Sequence, residues 1–186
     1  MQDNHEWLER KLDKARGRVI ESISNNIDLY GVTPSIGRLY ATMYFQDQPM
    51  TLDHMKQALG MSKTSMSTGV RTLSDLKMVE KVWQKGVRKD LYRVEEDWYQ
   101  SLIDYFSIKW RKNIELNVKA AKKSRAEIKE LIESNLLNDK LKKQAQDDLH
   151  KIEYALEYYD WLEDLVACFE SEDIYQLVPK KRATDG

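Results

Sequence analysis

Apolar residues recur at helical spacing over most of this chain and at strand spacing in one short region. Residues 3 to about 29 carry Trp7, Leu8, Leu12, Val19, Ile20, Ile23 and Ile27 as a stripe, which Gly31 ends. Thr33 suits an N-cap and Pro34 the first helical position, so a second helix opens there with Ile36, Leu39, Tyr40, Met43 and Tyr44. Residues 46–49 close it. A third helix, capped by Thr51, turns Leu52, Met55, Ala58 and Leu59 inward. Gly60 follows, the residue that takes the left-handed conformation at a helix end without steric cost. Met61 fills the turn and Ser62 offers its hydroxyl as the next N-cap. The fourth helix, 63 to about 76, buries Met66, Val70 and Leu73. Residues 79–84 and 90–94 have strand composition and enclose the turn Lys85-Gly86-Val87-Arg88-Lys89. Two long helical stripes complete the pattern. One runs from Trp98 to about Ser134 through Leu102, Phe106, Trp110, Ile114, Val118, Ile128, Leu131 and Ile132. After a bend at 135–138, the other runs to about Ser171 through Leu141, Ala145, Leu149, Ile152, Leu156, Tyr159, Leu162, Val166 and Phe169.

The stretch 51–95 organises the rest. Helix, tight turn, helix and two-stranded ribbon, in that order, make a winged helix-turn-helix. At about 100° per residue, the face opposite Met66, Val70 and Leu73 holds Thr64, Thr68, Arg71 and Asp75, with Ser67 and Thr72 on its flanks. An ordinary solvated helix in so charged a chain would show Glu and Lys there. Short hydroxyl side chains with one arginine instead let a backbone approach base edges in a major groove. Ser62, Lys63 and the free N–H groups of the first turn suit a phosphate. The ribbon projects Lys85, Arg88 and Lys89, which suits a phosphate backbone or minor groove better than a protein core. The bland alternatives are a Ser/Thr-rich surface helix and a solvated basic hairpin.

Charge sharpens this picture. Residues 51–95 hold nine Lys/Arg against five Asp/Glu, so +4, and residues 127–176 hold five against fourteen, so −9. A net charge of −1 therefore conceals a basic module joined to an acidic one. Charged content of 33% with seven Gly and three Pro fits a mainly helical fold. Two long apolar stripes exceed what a small winged helix can cover, so the remainder is expected to meet a second copy in a homodimer. The expected divisions are an N-terminal dimerisation helix (1–32), the DNA-binding domain (33–97), dimerising long helices (98–175) and a polar tail (176–186). The tail run Lys180-Lys181-Arg182 reads as a solvated end.

Nothing points to catalysis, a cofactor or a metal. His5, His54 and His150 fall on separate elements, and there is no phosphate loop or nucleophile motif. The lone Cys168 permits no intrachain disulfide and reads as a buried small apolar residue. No apolar run approaches a membrane span and no signal-type stretch opens the chain, so a cytoplasmic protein is expected. The rival class is a helical protein-binding adaptor that uses the winged helix as a docking module.

The segments 28–45 (DLYGVTPSIGRLYATMYF) and 58–92 (ALGMSKTSMSTGVRTLSDLKMVEKVWQKGVRKDLY), with the aromatic run through Ile108-Lys109-Trp110, resemble the MarR superfamily of bacterial repressors. The resemblance is closer to its GbsR/OpcR branch, with the OpcR side nearer. It implies a dimeric repressor on double-stranded operator DNA, governing choline or glycine betaine uptake or synthesis genes, with a choline-type ligand as signal. A trimethylammonium group has no hydrogen to donate and is held by aromatic faces. Tyr40 with Tyr44, and Phe106 with Trp110, each one turn apart, are the expected cage, with Tyr30 and Phe45 as alternates. The competing readings are that these are plain core aromatics, and that the repressor has no small-molecule effector.

Overall fold

The computed structural model describes residues 2–134 and 136–181. Met1, Asn135 at the expected bend, and residues 182–186, including Arg182 of the basic tail, lie outside the described residues. The elements are α1 (Gln2–Asn26), a short 3-10 turn (Ile27–Tyr30), α2 (Pro34–Tyr44), α3 (Leu52–Leu59) and α4 (Lys63–Asp75). Then come β1 (Val79–Val82), β2 (Leu91–Val94), α5 (Trp98–Glu133), α6 (Asp139–Glu170) and α7 (Ile174–Leu177). The fold is mainly α with one antiparallel hairpin, in the order of a winged helix-turn-helix flanked by helices. The chain forms two compact units, Met1–Tyr105 and Phe106–Gly186.

The first unit is built around one apolar core. Leu39 of α2, Met55 of α3, and Met66 and Leu73 of α4 are fully buried, and Ile27, Val70, Met78, Val79 and Val94 close around them. The 3.6-residue period delivers these residues to a single side of each helix. Gly37 lets α1 and α2 approach: a Cβ there would collide with the Ile27 side chain and stand 3.1 Å from the Ser24 backbone. Val79 pairs with Val94, and both are buried in that core; the Val82–Leu91 pair, three residues along, falls on the other face of the ribbon, with Leu91 buried and Val82 half-buried.

The second unit is a helical hairpin. Ile114 of α5 and Leu162 and Val166 of α6 are its buried centre, with Phe106, Trp110, Val118, Tyr159 and Leu165 packed around them. Asn138 starts α6 by accepting the Leu141 N–H at 2.9 Å, and Arg111 Nε donates to Glu170 at 2.8 Å.

Several expectations need correction. The strands are shorter than their composition suggests: residues 83, 84 and 90 lie outside the ladder, and Trp83 is 82% exposed. Ala58 faces solvent. Leu102 is 48% exposed while its neighbour Ile103 is buried, a shift of one residue in the inward face of α5. Cys168 is half-buried rather than buried. Residues 174–177 form a short helix, so regular structure runs past the expected start of the polar tail.

Candidate nucleic-acid interface

Local chemistry sets the geometry of α3 and α4. Thr51 Oγ1 accepts the His54 N–H at 3.1 Å, while the Thr51 N–H donates to His54 Nδ1 at 3.5 Å. This is a reciprocal cap with histidine in the place usually taken by Glu or Gln. Gly60 ends α3 at φ 66°, and its N–H donates to the Lys56 carbonyl at 2.9 Å. Two residues later Ser62 Oγ accepts the Ser65 N–H at 3.0 Å, which starts α4. The hydroxyls of Ser62 and Ser65 also lie 2.8 Å apart.

With Met66, Val70 and Leu73 buried, α4 turns Lys63, Thr64, Ser67, Thr68 and Arg71 outward, together with Ser62 at its cap. Thr72 is half-buried and its hydroxyl donates to the Thr68 carbonyl at 3.0 Å, so its proton is already spent on the backbone. A hollow beside this face is lined by Ser62, Thr64, Ser65 and Thr68 of the α4 side and by Thr33 and Ser35 at the start of α2. The last two, and Ser65, were missed from sequence. For Thr33 and Ser35 the signal was present only as hydroxyls at the N-terminus of a neighbouring helix, and for Ser65 as a hydroxyl in the first turn of α4.

The hairpin tip exposes Lys85, Arg88 and Lys89. Gly86 sits at φ 86° in the turn, and Lys81 pairs with Asp90 at 2.8 Å across the hairpin's end. The cations divide into two classes. Lys63 and Lys89 both reach Asp53, whereas Arg71, Lys85 and Arg88 have no ion-pair partner among the described residues. Short hydroxyl donors, free guanidinium forks and a helix N-terminus on one exposed side are the equipment for oxyanions and base edges.

The four expected cage aromatics are placed within their own units. Tyr40 is buried, and burial pushes its phenol up to about 12. It lines a cavity of about 270 Å³ in the first unit, with Tyr30, Trp98 and Ser101 also on its wall. Ser101 Oγ is buried beside Tyr40. Tyr44 packs edge-on against Phe45 and Trp98, with ring centroids at 5.5 and 5.3 Å. In the second unit Phe106 packs against Trp110 at 5.9 Å and Phe169 at 4.5 Å. Trp98 was not among the expected aromatics. Among the described residues no cluster of His, Cys, Asp or Glu has the makings of a metal site, and no helix is long and apolar enough to cross a membrane.

Comparison with known proteins adds the family. The family described as GbsR family transcriptional regulator, C-terminal helical hairpin, matches residues 98–176. The chain is similar to the HTH-type transcriptional repressor GbsR of Bacillus subtilis (strain 168), 37% identical over 96% of this chain and 98% of that one. It is also similar to the HTH-type transcriptional repressor OpcR of the same organism, 38% identical over 92% of each. Those identities favour neither relative. A crystal structure of a transcriptional regulator, 13% identical, covers 84% of this chain and 99% of its own at TM-score 0.50, a likeness of fold alone.

Proposed function

The chain belongs to the GbsR family of transcriptional regulators, and on that footing we propose that it is a sequence-specific DNA-binding repressor acting as a homodimer in the cytoplasm. The observation that carries the reading is the exposed face of α4, where hydroxyls surround Arg71, beside a hairpin presenting unpaired Lys85 and Arg88. In this reading Ser62, Lys63, Thr64, Ser67, Thr68, Arg71 and Thr72 meet the major groove and its phosphates. Lys85, Arg88 and Lys89 follow the adjacent backbone. Both named relatives are repressors, which supports repression over activation. The docking-adaptor alternative gains no support from the family.

A second copy is supported by apolar surface left uncovered. Tyr154, Tyr158 and Trp161 are exposed on one side of α6, at spacings of four and three. Trp7, Leu8 and Leu12 are likewise exposed on α1. Twofold pairing would cover such stripes and present two α4 helices to successive grooves.

The regulated genes, in this proposal, serve choline or glycine betaine uptake or synthesis, and a quaternary-ammonium compound is the signal. The cavity bounded by Tyr30, Tyr40 and Trp98 supports an effector site that uses one of the four expected aromatics. Ligand would favour the conformation whose α4 helices no longer match the grooves, and DNA affinity would fall by the same coupling factor.

The test is a footprint over the upstream regions of osmoprotectant genes, with and without choline. Arg71→Ala should erode discrimination between operator and random duplex, by about 1–3 kcal/mol at one base position. Arg88→Ala should weaken both more evenly. Superimposable binding curves for the two variants on every sequence would defeat the assignment. Protection unchanged by millimolar choline would leave a repressor without this effector.

A further inference from the structure

An acidic side chain stands on the surface where the duplex would dock. Asp53, in the first turn of α3, has Oδ1 2.9 Å from Lys63 Nζ and Oδ2 2.8 Å from Lys89 Nζ. One carboxylate thus joins the first residue of α4 to the wing, 36 residues from Asp53 in sequence. Among the described residues it is the single hydrogen-bonded or ion-paired link between residues 83–90 and anything outside the hairpin.

The magnitude of such pairs decides how to read them. The lysine side chains remain 59% and 68% exposed, and exposed ion pairs do little to hold a fold together. What the arrangement does provide is two ammonium groups converging on a pair of anionic oxygens. A phosphodiester offers the same pair. Bound in a duplex, it also gains from counterion release, which a lone carboxylate cannot match.

We infer that Asp53 is an internal counter-ion that takes the place of a DNA phosphate in the free protein, and that Lys63 and Lys89 leave it for the backbone on docking. The inference rests on the DNA-binding reading above. An aspartate carboxylate is charged near neutrality in any case, and the Lys89 and then the Lys63 ammonium hold the pKa of this one lower still, at about 2. Every docking event must therefore break both pairs and leave an anion beside a polyanion. That penalty falls on all sequences alike, so it lowers affinity for any duplex and leaves the ratio between operator and random sequence to the base-edge contacts.

Fluorescence anisotropy of the full chain on a labelled mixed-sequence duplex, across a salt series, tests this. The proteins are the natural chain, Asp53→Asn, the pair Lys63→Met with Lys89→Met, and all three together. Asp53→Asn should tighten binding about tenfold at low salt and steepen the log affinity–log salt slope by about one. In the double-methionine background the same change should give about twofold or less, the effect of net charge alone. A gain of equal size in both backgrounds, or none in either, would overturn the inference. Weaker binding by Asp53→Asn would also overturn it and make Asp53 a structural clamp. A natural chain that ignores every duplex would instead remove the DNA-binding reading, and this inference with it.

Discussion

The two units of this chain spend similar lengths of sequence very differently. In the first, side chains from four helices and a hairpin converge, and Leu39, Met55, Met66 and Leu73 lose essentially all contact with water. In the second, α5 from Phe106 onward and the 32 residues of α6 bury a centre of only Ile114, Leu162 and Val166, with Leu156 buried further along α6, while Tyr154 and Trp161 remain 72% and 58% exposed. A close-packed core punishes any loss of volume, whereas a helix pair with bare aromatics leaves much of its apolar surface in water. The reading surface therefore rests on a foundation complete within one chain, and the helical hairpin has apolar surface still to be covered.

The largest expected effect follows from the first half of that contrast. Leu73→Ala should destabilise the first unit by about 3–4 kcal/mol, because neighbours fixed by other helices cannot collapse into the space. Urea unfolding followed by circular dichroism measures it. A loss no greater than that of an exposed leucine such as Leu131 would mean that the core is not close-packed.

Tyr40 gives a second probe of the same core. Its folded pKa of about 12 lies above the ordinary value of 10.0. An unfolded chain loses the phenolic proton first as pH rises, so stability is whole below about pH 10 and declines toward pH 12. The loss is on the order of 2 kcal/mol. Tyr40→Phe, which cannot ionise, should flatten that part of the stability–pH curve, and a slope that survives the substitution would rule Tyr40 out as its source.

The helical hairpin should respond through concentration. If a second chain covers α6, the melting temperature of the natural protein rises with protein concentration. Trp161→Ser should then lower it, at a cost on the order of 1 kcal/mol of stability, and weaken the concentration dependence. Melting that is independent of concentration in the natural chain would count against the proposed dimer.

The legible parts of the fold were those fixed by neighbours in sequence. Thr51, Gly60 and Ser62 announce a cap, a left-handed end and a new cap, and their hydrogen bonds take that form in the structure. The outward set on α4 followed from a strong apolar period, since Met66, Val70 and Leu73 leave one orientation. Features that depend on a distant element were not legible. Trp83 has a strand former's side chain, but strand composition requires a partner across the ladder, and at position 83 there is none. Leu102 and Ile103 are adjacent apolar residues, and only the packed structure selects the second. Asp53 could not be tied to Lys89 without knowing where the wing folds back. Likewise Trp98 and Tyr30 reach a common cavity only through tertiary packing.

The smallest effect tests what holds the two long helices together. Arg111 donates from Nε and Nη2 to the two carboxylate oxygens of Glu170, and its Nη1 stands 3.8 Å from Glu163. These contacts raise the guanidinium pKa, chiefly through the Glu170 hydrogen bond, but Arg111 is charged at any working pH with or without them. The bidentate fork is well formed, yet the Arg111 and Glu170 side chains are 45% and 39% exposed, so water and salt screen most of the attraction. Arg111→Ala should therefore cost roughly 0.5 kcal/mol at low salt, with less lost at high salt. Arg111→Lys should behave nearly like alanine if the planar fork matters, and nearly like arginine if only the charge does. A loss of several kcal/mol, insensitive to salt, would show that the hairpin depends on a desolvated ion pair rather than on its thin apolar seam, and the contrast between the two units would have to be drawn again on electrostatic grounds.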